Sequence, residues 1–115
     1  MKIFRAISEL EKIDLETYKI FRAREGAYEG KLFAESLKDA TIFGKAFYFY
    51  DEEPIYVVRV KIKEKFVNNL GVDSPDKFLG VGSTISVDGE NLEIFNNNMK
   101  FKILKYIRNA WTFWD

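Results

Sequence analysis

Arg5, Ser36 and Glu93 are the residues whose types and surroundings could do chemistry. Arg5 shares a strand face with Ile3 and Ile7. A guanidinium held on a buried apolar face needs a carboxylate partner or a bound anion such as phosphate, because an unpaired one is costly. A structural ion pair and an anion site are both open for it. Ser36 lies in the block Gly30-Lys-Leu-Phe33-Ala34-Glu35-Ser36-Leu37-Lys-Asp39-Ala40-Thr41-Ile-Phe43-Gly44. This reads as a short strand that ends on a polar turn and passes into a helix. The Ser36 hydroxyl caps such a helix, and the same N-terminus directs backbone N–H groups at an anionic ligand. Glu93 falls in Asp88-Gly89-Glu90-Asn91-Leu92-Glu93-Ile94-Phe95. On a strand it faces opposite Leu92 and Ile94, either as ordinary alternation or as a carboxylate that stabilises a sugar cation or holds ribose hydroxyls. Glu35 reads as a solvated turn residue. Glu90 and Glu93 are too close in sequence to be assigned as an acid and base pair without geometry.

The remaining chemistry is bounded by what is missing. With no Cys, disulfides, thiolate nucleophiles and zinc–cysteine sites are excluded. With no His, the commonest general base and the commonest metal ligand are gone. Catalysis would have to run on carboxylates, hydroxyls, Arg, Lys and backbone dipoles. Lys plus Arg equals Asp plus Glu, at 18 each, so no global field recruits nucleic acid or an anionic membrane, a local basic patch aside. No apolar run approaches the roughly 20 residues that span a bilayer. The N-terminal Met-Lys-Ile-Phe-Arg-Ala is not a secretory signal, which points to a cytoplasmic protein.

These residues must be positioned by elements readable from the pattern. The 115 residues predict one domain over 1–115, with eleven Phe, six Tyr and two Trp to fill its core. Alternation over Lys2–Ser8 predicts a strand, and Ser8-x-x-Glu11 a capping box opening a helix to about Ile13. Tyr18, Ile20 and Phe21 read as a short strand or turn, followed by an exposed loop over 22–26. Lys31–Ala34 predicts a strand. Ser36-x-x-Asp39 predicts a second capped helix to about Phe47, with Leu37, Ala40, Thr41 and Gly44 on its inner face. Asp51-Glu-Glu-Pro54 is a turn. Ile55–Lys63 is the clearest strand, with Tyr56, Val58, Val60 and Ile62 on the apolar face and Val57, Arg59, Lys61 and Lys63 on the other. Lys65–Leu70 reads as one or two helical turns stopped by Gly71, and 73–76 as another turn of helix around Pro75. Strands are predicted over Thr84–Val87, Leu92–Phe95 and Met99–Ile107, joined by turns at Asp88-Gly89 and Asn96–Asn98. Lys100 and Lys102 look like a solvated strand face. Trp111-Thr-Phe-Trp114 is either a docked tail or an apolar patch for a partner. The sum is an α+β domain with short helices in the N-terminal half and an antiparallel, strand-rich second half.

With these residues in place, the chain resembles the ADP-ribosyltransferase-like superfamily, and within it the small toxin-type domains of bacteria and phages. Ile3-Phe4-Arg5-Ala6 is similar to the opening tyrosine-arginine-alanine strand of such domains. Gly30–Gly44 is similar to their glycine-lysine-aromatic-phenylalanine-alanine-glutamate-serine block and its following helix. Glu93-Ile-Phe-Asn-Asn-Asn-Met-Lys-Phe-Lys-Ile103 is similar to the run from a late-strand Glu into the next strand. The likeness spans residues 3 to about 105, with 46–85 alike in element order only. It implies short helices packed on a mostly antiparallel split β-sheet and NAD as cofactor. It implies catalytic roles for Arg5, Ser36 and Glu93, with Arg5 on the phosphate or ribose, Ser36 on the nicotinamide-side ribose and Glu93 on the oxocarbenium-like transition state. Phe33 and Phe43 would wall the cofactor pocket, with Ala6 and Ala34 beside them.

Two departures stand out. Ala34-Glu35-Ser36 retains only the last of the usual serines, and Asn91 stands where the superfamily has an acidic residue two before the catalytic Glu. Three functions follow as alternatives. One is NAD-dependent ADP-ribosyl transfer to a protein, nucleic-acid or small-molecule acceptor, or simple NAD hydrolysis. Another is an inactive module that binds a nucleotide or nucleotide-derived signal. The third is a protein-interaction or inhibitor domain.

Overall fold

Residues with period-2 alternation pair into one sheet. The computed structural model describes residues 1–22, 31–47, 55–67, 71–73 and 82–104. In order, the elements are β1 (Lys2–Ile7), α1 (Glu9–Tyr18), β2 (Lys31–Ala34), α2 (Leu37–Phe47), β3 (Tyr56–Ile62), α3 (Glu64–Val67), β4 (Gly71–Asp73), β5 (Thr84–Val87), a 3-10 turn (Gly89–Asn91), α4 (Leu92–Asn97) and β6 (Met99–Leu104). The strands align as β4-β5-β2-β1-β3-β6, and every neighbouring pair is antiparallel. The pairing is uneven. β1 runs against β3 from Lys2↔Lys61 to Ile7↔Tyr56, whereas β1 and β2 meet only at Phe4↔Ala34. The sheet is pinched there into a β4-β5-β2 half and a β1-β3-β6 half.

Each strand face meets its own helices. Ile3, Ile7, Phe33, Val58, Val60, Ile85 and Val87 point to one side and pack with Leu15 of α1 and Leu92 and Phe95 of α4. Phe21, just past α1, joins this core through edge-on contacts with Phe33 at 5.4 Å and Phe95 at 6.0 Å between ring centres. Burying aromatic rings of this size contributes roughly 2–3 kcal/mol apiece. On the other side Ala34 and Val57 receive Ala40 and Phe43 of α2, with Phe4, Leu32 and Ile42 half-buried around them. Gly44 brings α2 close to the sheet. A Cβ there would stand 2.9 Å from the Ala6 Cβ and 3.1 Å from Ile55 Cγ2.

β1, β2, α2, β3 and β5 lie where the alternation and capping signals predict them, and α+β is the class. Other expectations are corrected. α1 runs to Tyr18, five residues past Ile13, anchored by the buried Leu15 and ended by left-handed Lys19, whose N–H donates to the Leu15 carbonyl. The inner face of α2 is Ala40, Phe43 and Gly44, while Leu37 is exposed. β4 begins at Gly71, which the sequence suggested as a helix stop, and takes in Asp73. Leu92–Phe95 is helix rather than strand: Leu92 and Phe95 are buried three apart while Glu93 and Ile94 between them are exposed. Asp88-Gly89 accordingly enters a 3-10 turn instead of a hairpin. Helices and strands interleave through both halves of the chain rather than segregating. The loop over 23–26, the turns at 51–54 and 74–76, the end of the last strand at 105–107 and the Trp111–Trp114 tail lie outside the described residues. Among the described residues no helix is long and apolar enough to cross a membrane.

Candidate functional site

Arg5 projects from β1 toward α1, and α1 supplies its partner. Ser8 caps that helix, its Oγ accepting from the Glu11 N–H at 3.3 Å. Glu11 therefore sits one turn above the strand that carries Arg5. Arg5 Nε donates to Glu11 Oε2 at 2.7 Å and Nη2 to Oε1 at 2.9 Å, a two-pronged pair in which both side chains are mostly buried. The third prong, Nη1, donates to the Leu32 carbonyl at 3.1 Å. Arg5 thus reaches across the pinched junction and bonds the β2 backbone where the ladder between the strands has run out. Lys31 Nζ approaches the same carboxylate at 3.8 Å. Burial pushes the Glu11 carboxyl up. The Arg5 hydrogen bonds and charge, with Lys31 behind them, outweigh this and hold it below the usual carboxylate range.

Ser36 stands two residues beyond β2. Its Oγ accepts from the Asp39 N–H at 3.1 Å, and its carbonyl accepts from Ala40 N at 3.0 Å, as a cap should. The Asp39 carboxylate does not close the box back onto Ser36. Its Oδ2 accepts from the Gly82 N–H at 3.0 Å, tying the approach to β5 onto the start of α2. Glu93 is on α4, on the side turned away from buried Leu92 and Phe95, and is exposed. That helix is fastened by Asn96. Its Oδ1 accepts from the Phe21 N–H and its Nδ2 donates to the Phe21 carbonyl, both at 2.8 Å.

The candidate residues therefore divide. Arg5 and Phe33 face the α1–α4 side, while Ala6 and Ala34 face α2, which carries Phe43, on the opposite side of the sheet. Phe33 and Phe43 do not wall a common pocket, and Phe33 is fully buried among Phe21, Phe95 and Ile85. Arg5 sits on β1 and Ser36 just beyond the end of the neighbouring β2, with Arg5 engaged by Glu11 and Leu32 and Ser36 by its helix cap. Glu93 is not a strand residue and has no described hydrogen bond to either. Of the two readings open for Arg5, the carboxylate partner is present.

What the sequence passed over is the opposite face of β1, β3 and β6. Registers Lys2↔Lys61, Lys61↔Lys100 and Arg59↔Lys102 set two solvated strand faces side by side. The alternation of each strand was visible; their adjacency was not. Among the described residues no cluster of acidic side chains could hold a metal ion. Comparison with protein families, curated proteins and solved structures returned no match.

Proposed function

We propose that the chain is an ADP-ribosyltransferase-like domain that binds NAD or a related nucleotide along the β1–β2 junction without using Glu93 to break the glycosidic bond. The observation that carries this reading is the junction itself. The sheet is pinched to a single bridge at Phe4↔Ala34, with Arg5 on one side and the capped strand end at Ser36 on the other. That order of Arg on the first strand and Ser at the end of the second is the one the resemblance implies. The third member of the pattern departs from it. Glu93 rides an exposed helix, and Asn91 replaces the acidic residue before it. A carboxylate in bulk water gives little of the electrostatic stabilisation that an oxocarbenium-like transition state needs. A cytoplasmic setting, where such nucleotides are at hand, goes with this reading.

The test is calorimetry with NAD, ADP-ribose and AMP, run beside an assay for nicotinamide release. The expected result is saturable binding of at least one nucleotide, no nicotinamide release, and unchanged binding in Glu93→Gln. Nicotinamide release that falls 100-fold in Glu93→Gln would restore the enzyme reading. No binding of any of the three would remove the nucleotide proposal altogether.

A further inference from the structure

We propose that the face of the sheet formed by β1, β3 and β6 beside α2 binds the phosphate backbone of single-stranded nucleic acid. This does not depend on the nucleotide reading, because none of its five cations belongs to the β1–β2 junction.

Five cations share this face: Lys2 on β1, Arg59 and Lys61 on β3, and Lys100 and Lys102 on β6. Lys2, Lys61 and Lys100 form one row across the three strands, and Arg59 and Lys102 form the next. Neighbouring strands lie about 4.8 Å apart and alternate residues along a strand about 6.7 Å, so the charges make a fixed grid about 10 Å wide. β1, β3 and β6 contain no Asp or Glu at all. Like charges directly opposite each other destabilise a ladder. Here they are opposed twice within β3–β6 and again at Lys2↔Lys61. A chain with equal numbers of acids and bases had ample carboxylates to interleave.

Arg59 adds an independent sign. Its Nε is enclosed, yet it has no hydrogen-bond partner among the described residues. With Nε held inside, the half-buried guanidinium is fixed on the face beside exposed lysines, and a fixed fork of this kind suits a phosphate oxygen. Lys2, Lys61, Lys100 and Lys102 are all exposed and make no ion pair among the described residues. Half-buried Phe4 lies directly across from Arg59. A row of cations beside an aromatic ring is how single strands are held without sequence preference, phosphates on the charges and bases against the ring. A membrane surface fits less well: Leu37 of α2 is exposed beside this face, but Leu10, Ile13 and Tyr18 belong to α1, on the opposite side of the sheet.

The experiment is fluorescence anisotropy of the full chain with a fluorescein-labelled 20-nucleotide oligo-dT, with vesicles containing phosphatidylserine as a separate arm. Four phosphate contacts predict affinity falling about 50-fold between 50 and 200 mM salt, from a slope of roughly 0.7 per contact. Lys61→Glu with Lys102→Glu should weaken binding at least tenfold at 50 mM salt, while Lys12→Ala on α1 should not. The same double variant should melt no lower than the parent, since it replaces opposed like charges with Arg59–Glu and Glu–Lys pairs. Lys61→Gln with Lys102→Gln gives the neutral version if the reversal fails to fold. No binding at 50 mM salt, equal loss in Lys12→Ala, or binding to the vesicles but not the oligonucleotide would each overturn the proposal.

Discussion

Replacing Glu11 by Gln keeps the shape of the side chain and removes the charge that Arg5 and Lys31 face. Arg5 would retain its bond to the Leu32 carbonyl and one weaker contact to the new amide, and its other prong would lose the Glu11 carboxylate oxygen. Removing one partner of a fully buried pair costs about 3–5 kcal/mol. The Arg5 and Glu11 side chains keep 16% and 18% of their exposure, so solvent screens part of this and about 2 kcal/mol is the appropriate size. For a domain of this length that is a fall in Tm of about 6–10 °C. Urea unfolding followed by far-UV circular dichroism at pH 7 measures it. The pH dependence has a definite sign. The folded Glu11 pKa lies below the ordinary 4.5, so the pair stabilises fully above that value. Its contribution fades as pH falls below 4.5 and is gone once pH has passed through the lowered folded value. Glu11→Gln should therefore cost most at pH 7 and approach zero in acid. Arg5→Met with Glu11→Leu, which removes both charges, should recover much of the loss. A cost under about 0.5 kcal/mol at pH 7, or one unchanged in acid, would show that the pair does not fasten α1 to the sheet.

Two further outcomes follow from close contacts elsewhere. Gly44→Ala raises helix propensity by about 1 kcal/mol, yet the new Cβ would stand 2.9 Å from the Ala6 Cβ. The expected net effect is a loss of about 1–2 kcal/mol in chemical denaturation, and a stabilised variant would contradict the close approach of α2. Asn96→Ala leaves both polar groups of Phe21 without their partner, and should cost about 1–3 kcal/mol with faster hydrogen exchange at the Phe21 amide; an unchanged exchange rate at that amide would mean the tether is not formed.

Strand signals were legible where one face met a core and the other met water. β3 shows this in Tyr56, Val58, Val60 and Ile62, all packed into or against one cluster, although Val57 on its other face is buried under α2. The same rule misled at α4, where Leu92-Glu93-Ile94 imitates alternation over three residues. Only the burial of Phe95 with Leu92, and the 58% exposure of Ile94, separates helix from strand there. β4, three residues long with a Gly at its start, is too short to show a period. Parity along β2 would have divided part of the proposed pocket, because Phe33 and Ala34 must point to opposite faces. The Arg5–Glu11 pair was half-legible. The sequence demanded a partner for Arg5 and placed Glu11 in a capping box. That a helix folding back over its own preceding strand would join the two is a matter of tertiary packing.

The pinched junction governs how the two halves of the sheet communicate. Where six registers join β1 to β3, bending one strand bends the next through the peptide groups themselves. Between β1 and β2 there is one register, so backbone stiffness ends at Phe4↔Ala34. Beyond it the halves are coupled by side chains: the Arg5 prong on Leu32, the packing of α2 on Ala34 and Val57, and a string of rings from Phe33 on β2 through Phe21 to Phe101 on β6, at 5.4 and 6.3 Å. Rings slide and guanidinium forks pivot far more readily than a ladder shears. The tilt of the β4-β5-β2 half against the rest is therefore set by side-chain packing, with α2 laid across both halves on one side and Phe21, a residue outside every strand, the keystone on the other.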